Sequence, residues 1–363
     1  MKTCAILDLF SVHDHVIPSH IKYLTELGYK VTVYSPTQGF QEVSALLPSL
    51  EYDVITLDAS KYQGRNKNHF RERYLKGFDS LDSLRDFDLV LLNTFRTELP
   101  VTNHISSKVT NALAVLHTPK HGLKQSRYKH FVANGHRVLV LSRAMGEAFN
   151  LPWVVPLTYA DDQFLKYENN ASNTVFCVPG TVRFTGRTYS ALVRSVQKLK
   201  QQGKENFIVK VVGRHDKKDG EIFLKEIHSA GVSGFFQFLT DTTHEQFVRE
   251  IIDSDFVMPL IDKYEEKVGA RHYSDMITSS VFLALGLEKV MVCESELASA
   301  YEFSDSAFVH KGGQLEVGML TALEASSQDV RLRQEQMSVL RRNFYLDSIE
   351  NLGRITNAFE RPI

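Results

Sequence analysis

The chain has 363 residues, 43% hydrophobic and 23% charged, which suits two globular domains of roughly 100–200 residues each. Acidic and basic residues nearly cancel at 43 and 42, and a net charge of −1 excludes the bulk basic excess of a nucleic-acid binder. Cys4, Cys177 and Cys293 lie far apart in apolar runs without a C-x-x-C pair, which reads as reduced core thiols in a cytosolic protein.

The opening MKTCAILDLF is too short an apolar run for a secretion signal, and Asp8 interrupts it. No stretch approaches the ~20 apolar residues of a membrane-spanning helix, so any membrane contact is expected to be peripheral, at the inner face. Residues 3–10 read as a buried strand, SVHDHVIPS as a polar loop, and 19–28 as an amphipathic helix ending on Gly28. KVTVYSP, DVITLD, DLVLLN, ALAVLH and RVLVLS follow as short β-rich runs separated by helix-length segments, the pattern of a parallel sheet covered on both faces.

The pattern pauses at 156–173, which is polar and turn-rich, and then restarts. Strands are expected at 175–179, 207–213, in FFQFL, DFVMPL and KVMVCE. Helices are expected at 187–201, 219–230, 243–253, 278–286 and through the charged stretch 327–359. The expected organisation is an α/β fold with two doubly wound domains, 1–157 and 173–340, and a C-terminal helix, 341–363, packing back on the first domain. Ligands of open parallel sheets bind beyond the C-terminal strand ends, so chemistry-bearing residues are sought there.

Five places qualify. The loop after the first strand carries His13, Asp14 and His15, where a neutral His beside an Asp can act as a general base; a helix-capping loop is the alternative. Gly180 to Arg187 follows the first strand of the second half, and its Arg183 and Arg187 suit a diphosphate, because guanidinium forks bind phosphate oxygens bidentately. Arg214, after the next strand, either joins that anion site or is a surface charge. The segment after DFVMPL offers Glu265 or Glu266 to sugar hydroxyls. It ends in Thr278, Ser279 and Ser280, which either hold a phosphate at a helix start or simply cap it. His117 ends a strand of the first half and could contact sugar or acceptor. Two basic clusters interleaved with aromatics, 61–78 and 120–131, suit an anionic membrane or an acidic glycan, with a solvated helix face as the alternative. The chain contains no HExxH, strand-flanked DxD, GxSxG or P-loop, so no metal site is expected; His272 with Asp275 is an isolated pair.

Several of these segments resemble the two-domain GT-B glycosyltransferases, of the GT4 or group 1 type. DHVIPSHIKYLTELGYKVTVYSP is similar to that superfamily's opening, LSRAMGEAFNLP to its S-x-x-M strand end, and PLTYADDQF to its lead into the interdomain linker. PGTVRFTGRTYSALVRSV resembles VGRLxxxKGxxxLIxA, with Arg183 and Arg187 at the diphosphate-binding Arg and Lys places. FFQFLTDTTHEQFVREIIDSDFVMPL and SSVFLALGLEKVMV are similar to the segments that follow. The sequence departs from the E-x7-E pattern of many retaining members, since Tyr273 or Ser274 stands where the second Glu would be.

The resemblance implies transfer of a sugar from a UDP- or GDP-sugar co-substrate, without a further cofactor, to a hydroxyl of a glycan or lipid-linked acceptor in surface polysaccharide biosynthesis. It puts His15, with Asp14, in the place of the catalytic base. Arg183, Arg187, Arg214, Glu266, Thr278, Ser279 and Ser280 would serve the donor, and His13 and His117 the acceptor or sugar. The broken E-x7-E tips the expected outcome toward inversion. Two other readings stay open: a nucleotide-sugar 2-epimerase of the same fold, and a non-catalytic glycan-binding protein.

Overall fold

The computed structural model describes residues 1–8, 13–35, 46–56, 83–95, 105, 107–165, 173–215, 218–262 and 279–359. The chain divides into two compact units, 1–158 with 345–363, and 159–344.

The first unit is built on a six-stranded parallel sheet: β1 (Lys2–Leu7), β2 (Tyr29–Ser35), β3 (Asp53–Thr56), β4 (Leu89–Leu92), β5 (Ala112–Leu116) and β6 (Arg137–Val140), in the order β3-β2-β1-β4-β5-β6. β4 and β5 are buried along their whole length, which is why they read as unbroken apolar runs and not as alternating strands. Helix α1 (Ile17–Glu26) connects β1 to β2. Pro18 in its first turn gives up no hydrogen bond there, and Gly28, at φ 83°, closes its far end. Three further helices belong to this unit: α2 (Pro119–Gly122), α3 (Ser126–Ala133) and α4 (Arg143–Phe149).

The second unit repeats the plan with β7 (Thr174–Pro179), β8 (Phe207–Val212), β9 (Phe236–Leu239), β10 (Phe256–Val257), β11 (Met291–Glu294) and β12 (Ala307–His310), in the order β12-β11-β10-β7-β8-β9, again all parallel. Its helices are α5 (Tyr189–Gln201), α6 (Lys218–Ser229), α7 (His244–Ile252), α8 (Ser279–Gly286), α9 (Ser295–Ala300) and α10 (Leu315–Glu324). Thr243 and Gln246 cap α7 reciprocally, each side chain bonding the other's backbone N–H. The strand register puts Phe176, Phe207, Phe256 and Phe308 on one face of this sheet, where they form a buried cluster with Phe223 of α6. β12, α9 and α10 are additions to the elements expected from the sequence.

One long helix, α11 (Ser327–Asn357), starts in the second unit and ends in the first. Its final turns are bonded into the first unit. The Ser348 hydroxyl accepts from the Val155 N–H at 3.0 Å, and Asn351 donates to the Trp153 carbonyl at 3.2 Å. All three cysteines are free and buried. No helix among the described residues is long and apolar enough to cross a membrane.

Candidate functional site

In both sheets the strand order reverses between the first and fourth strands, β1/β4 and β7/β10, and the C-terminal edge at such a point is where open parallel sheets bind ligands. Each unit carries a polar cluster at that edge.

In the first unit Asn93, fully buried just past β4, is the hub. Its N–H donates to the Leu7 carbonyl at 3.0 Å and its side-chain amide to the His13 carbonyl at 3.1 Å. Its own carbonyl lies 2.9 Å from Nε2 of His117. A carbonyl only accepts, so His117 is the tautomer protonated on Nε2, with Nδ1 left as an acceptor. His13 adopts a left-handed backbone, φ 82°, which lays its ring on that of His117 with centroids 3.8 Å apart and planes 13° from parallel. His15 meets the edge of His13 at 5.9 Å. Asp14 accepts from the His15 backbone N–H at 3.2 Å and opens the short 3-10 turn that leads into α1.

His117 keeps a solvent-accessible edge, but its dense surroundings push its pKa well below the usual histidine value, and the like charges of His13, His15 and His20 add to this. His20, on α1, is fully buried, and burial drives its pKa down to about 4. Neither of its ring nitrogens has a hydrogen-bond partner among the described residues. The structure therefore brings His13, His15 and His117 together, as read from the sequence, and adds His20, which sequence reasoning missed.

In the second unit the strand ends are closed by glycine. Gly180 and Gly213 continue the ladder, donating to Val212 and Leu239 carbonyls at 2.7 and 2.9 Å. A Cβ on Gly213, whose φ is 138°, would lie 2.7 Å from the carbonyl carbon and oxygen of Gly180, so the two turns touch backbone to backbone. Val182 donates to the Arg214 carbonyl at 2.9 Å, and Asp219 accepts from Phe184 at 3.0 Å, fixing the loop in between. Arg187 lies over the end of β7. It donates to the Pro179 carbonyl at 2.6 Å and to the hydroxyl of Ser280, in the first turn of α8, at 3.3 Å. Arg183 and Arg214 are exposed on adjoining loops, Ser279 is half-buried and Ser280 fully buried. Glu266 and Thr278 lie outside the described residues, as do the basic cluster 61–78 and the pair His272 and Asp275. Within the cluster 120–131, Lys120, Lys124 and Lys129 are exposed, while Arg127 covers the ring of Phe95.

A small pocket at the ends of β10, β11 and β12 is lined by Thr188, Leu260, Asp262, Cys293, His310 and Gly313. Asp262 accepts from the Gly313 N–H at 2.6 Å, and Glu294 accepts from two N–H groups of α9. Burial lowers the pKa of His310, against the opposing pull of Asp262 and Glu294. Leu260, at φ 54°, is a non-glycine residue held in the left-handed region, where its carbonyl accepts from both the N–H and the hydroxyl of Thr188. Asp262 opened the polar segment noticed in the sequence, but β12 was too short to flag His310.

No family model and no curated protein sequence matches the chain. Solved structures do match along its length. A glycosyltransferase from Rickettsia africae aligns with a TM-score of 0.68 at 11% identity, covering 100% of this chain and 99% of that one. Anabaena HepE in complex with UDP and glucose aligns at 0.65 and 13%, covering 99% and 100%. Sucrose-phosphate synthase from Thermosynechococcus elongatus aligns at 0.64 and 10%, covering 99% of each chain. The chain has the GT-B fold. In GT-B terms, the histidine cluster marks the strand-end edge of the N-terminal domain, and Arg187 with Ser280 that of the C-terminal domain. At these identities the likeness establishes the fold, and the chemistry rests on the residues at those edges.

Proposed function

We propose that the chain is a glycosyltransferase that moves a sugar from a UDP- or GDP-sugar to a hydroxyl of a glycan or lipid-linked acceptor. The observation that carries this reading is Arg187 at the second switch point, spanning from the end of β7 to the first turn of α8. A guanidinium and a helix start converging on one crevice form an anion site. Arg183 and Arg214 on the adjoining loops add positive charge, and Ser279 and Ser280 add hydroxyl donors, with Glu266 and Thr278 proposed as further donor contacts. The UDP held by the Anabaena protein supports UDP ahead of GDP.

In the reaction, the acceptor oxygen attacks the anomeric carbon, the bond from that carbon to the diphosphate oxygen breaks, and the acceptor's proton passes to a base. His15 is the proposed base. It sits half-buried in the turn after β1, with the Asp14 carboxylate holding its backbone. A single displacement of this kind inverts the anomeric centre. His13 and His117, stacked and locked through Asn93, are positioned to hold the acceptor or the sugar. The arginines neutralise the charge that grows on the leaving diphosphate, a role that requires no metal. Attachment at the inner face of a membrane, through residues 61–78 and 120–131, remains part of this proposal.

Titration calorimetry of the full chain with UDP and with GDP tests the donor site. Wild type should bind one of them, and Arg183→Ala/Arg187→Ala should lose binding while its circular dichroism stays unchanged. Equal affinity in the two proteins would refute the diphosphate assignment.

A further inference from the structure

The segment that follows β10 carries a backbone outlier. Leu260 adopts φ 54°, in the left-handed region, although it is neither glycine nor asparagine. That conformation brings Cβ against the following carbonyl oxygen, and a leucine side chain offers no local hydrogen bond to offset the cost. Such strain persists only where the surroundings hold it, and it concentrates at functional sites. At Leu260 the holding contacts come from two other loops. Its carbonyl accepts from the Thr188 N–H at 2.9 Å and from the Thr188 hydroxyl at 3.2 Å, at the end of the loop after β7. Two residues on, the Asp262 carboxylate accepts from the Gly313 N–H at 2.6 Å, in the loop after β12. Thr188, Leu260 and Asp262 are all buried.

Thr188 is the N-cap of α5. A threonine at that place ordinarily turns its oxygen onto an N–H of the first helical turn. Ser142 does so for α4 and Thr243 for α7, accepting from the N–H groups of Met145 and Gln246 at 3.2 Å each. Thr188 makes no such bond among the described residues, and its hydroxyl donates to Leu260 instead. The side chain thus leaves its own helix uncapped and ties the β7 loop to the segment after β10. Those are the two strands between which the order of this sheet reverses.

The residue before the tie is Arg187. Contacts with the Pro179 carbonyl and the Ser280 hydroxyl fix where its guanidinium ends. The peptide joining it to Thr188, whose N–H is bonded to Leu260, fixes where the side chain begins. A long flexible side chain keeps its fork aimed only when both ends are held. We propose that Thr188 is a positioning residue of the donor site: its hydroxyl, bonded to the strained Leu260 carbonyl, fixes the backbone from which Arg187 reaches the diphosphate. This rests on the assignment of Arg187 to the donor diphosphate. Thr188 is 7% exposed and acts through Arg187, without touching the nucleotide.

Titration calorimetry of the full chain with UDP and GDP tests it. Thr188→Val removes the hydroxyl but keeps the branched shape and the N–H. It takes away no cap bond, so circular dichroism and melting temperature should stay close to wild type. The Kd of whichever nucleotide wild type binds should rise about fivefold, the worth of one ordinary hydrogen bond. Thr188→Ser keeps the hydroxyl and should bind within about twofold of wild type. Thr188→Ala repeats the comparison without the branched side chain. In an Arg187→Lys background, Thr188→Val should change the Kd by less than about twofold, because the group it positions is gone. Wild-type affinity in Thr188→Val overturns the proposal, as does a Thr188→Ser variant as weak as Thr188→Val. So does the full loss recurring on top of Arg187→Lys, which would mean direct contact or a general structural role. These results leave the donor-site reading standing as long as wild type binds a nucleotide that Arg183→Ala/Arg187→Ala does not. A wild type that binds neither nucleotide overturns both.

Discussion

Replacing His20 with phenylalanine should remove much of the acid sensitivity of the N-terminal domain. The ring is fully buried, and burial lowers its pKa from 6.5 to about 4. A histidine depressed in the folded state binds its proton more readily when unfolded. Its contribution is therefore intact above pH 6.5, is lost as pH falls below 6.5, and reaches its full loss below about pH 4. With those two values the loss is about 2 kcal/mol at pH 5 relative to pH 7.5. Phenylalanine fills nearly the same volume and cannot titrate. Calorimetric melting of wild type and His20→Phe at both pH values isolates the effect as a difference of differences. At roughly 2–4 °C per kcal/mol, the wild type should lose about 4–8 °C more than the variant between pH 7.5 and 5. Equal losses in the two proteins would show that His20 titrates normally and that the packing around α1 is wrong.

Arg187→Lys should weaken nucleotide binding about tenfold or more in calorimetry, because an ammonium cannot keep the Pro179 and Ser280 bonds while forking to a phosphate. His15→Ala should lower kcat by about 100-fold or more with KM for the donor little changed, as expected when a base acts only in the transition state; steady-state kinetics at near wild-type turnover would place the base elsewhere. Gly213→Ala should destabilise the C-terminal domain by about 2 kcal/mol or more, measured by urea unfolding, since its Cβ would lie 2.7 Å from the Gly180 backbone at a φ that alanine resists.

The fold was legible because parallel strands buried on both faces leave a strong mark. DLVLLN and ALAVLH could hardly be anything else, and β7, β8, α5 and α7 fall within two residues of their expected ends. What was lost is short or locally ambiguous. β12 has four residues, with Val309 exposed among them, and no periodicity can accumulate in that length. At the site, the Gly-flanked loop advertised Arg187, and the helix start advertised Ser280. Their contact with each other was not legible, because only the crossing of β7 and α8 brings residues 93 apart within 3.3 Å. His20 was invisible for the same kind of reason. In SHIKYLTELG it reads as a polar helix position, and its burial follows from crowding at the first switch point. His13 and His117 were each read as ligand contacts, but their stacking depends on Asn93, a residue whose type carries no signal by itself.

The most direct test of donor use is a thermal-shift screen of the full chain against UDP, GDP, CMP and their sugars. A ligand that binds only the folded state at 100 times its Kd stabilises it by about 2.7 kcal/mol. The predicted result is a rise of several degrees with UDP or GDP and their sugars, lost in Arg183→Ala/Arg187→Ala. No shift with any nucleotide, at concentrations up to millimolar, would contradict a nucleotide-sugar transferase.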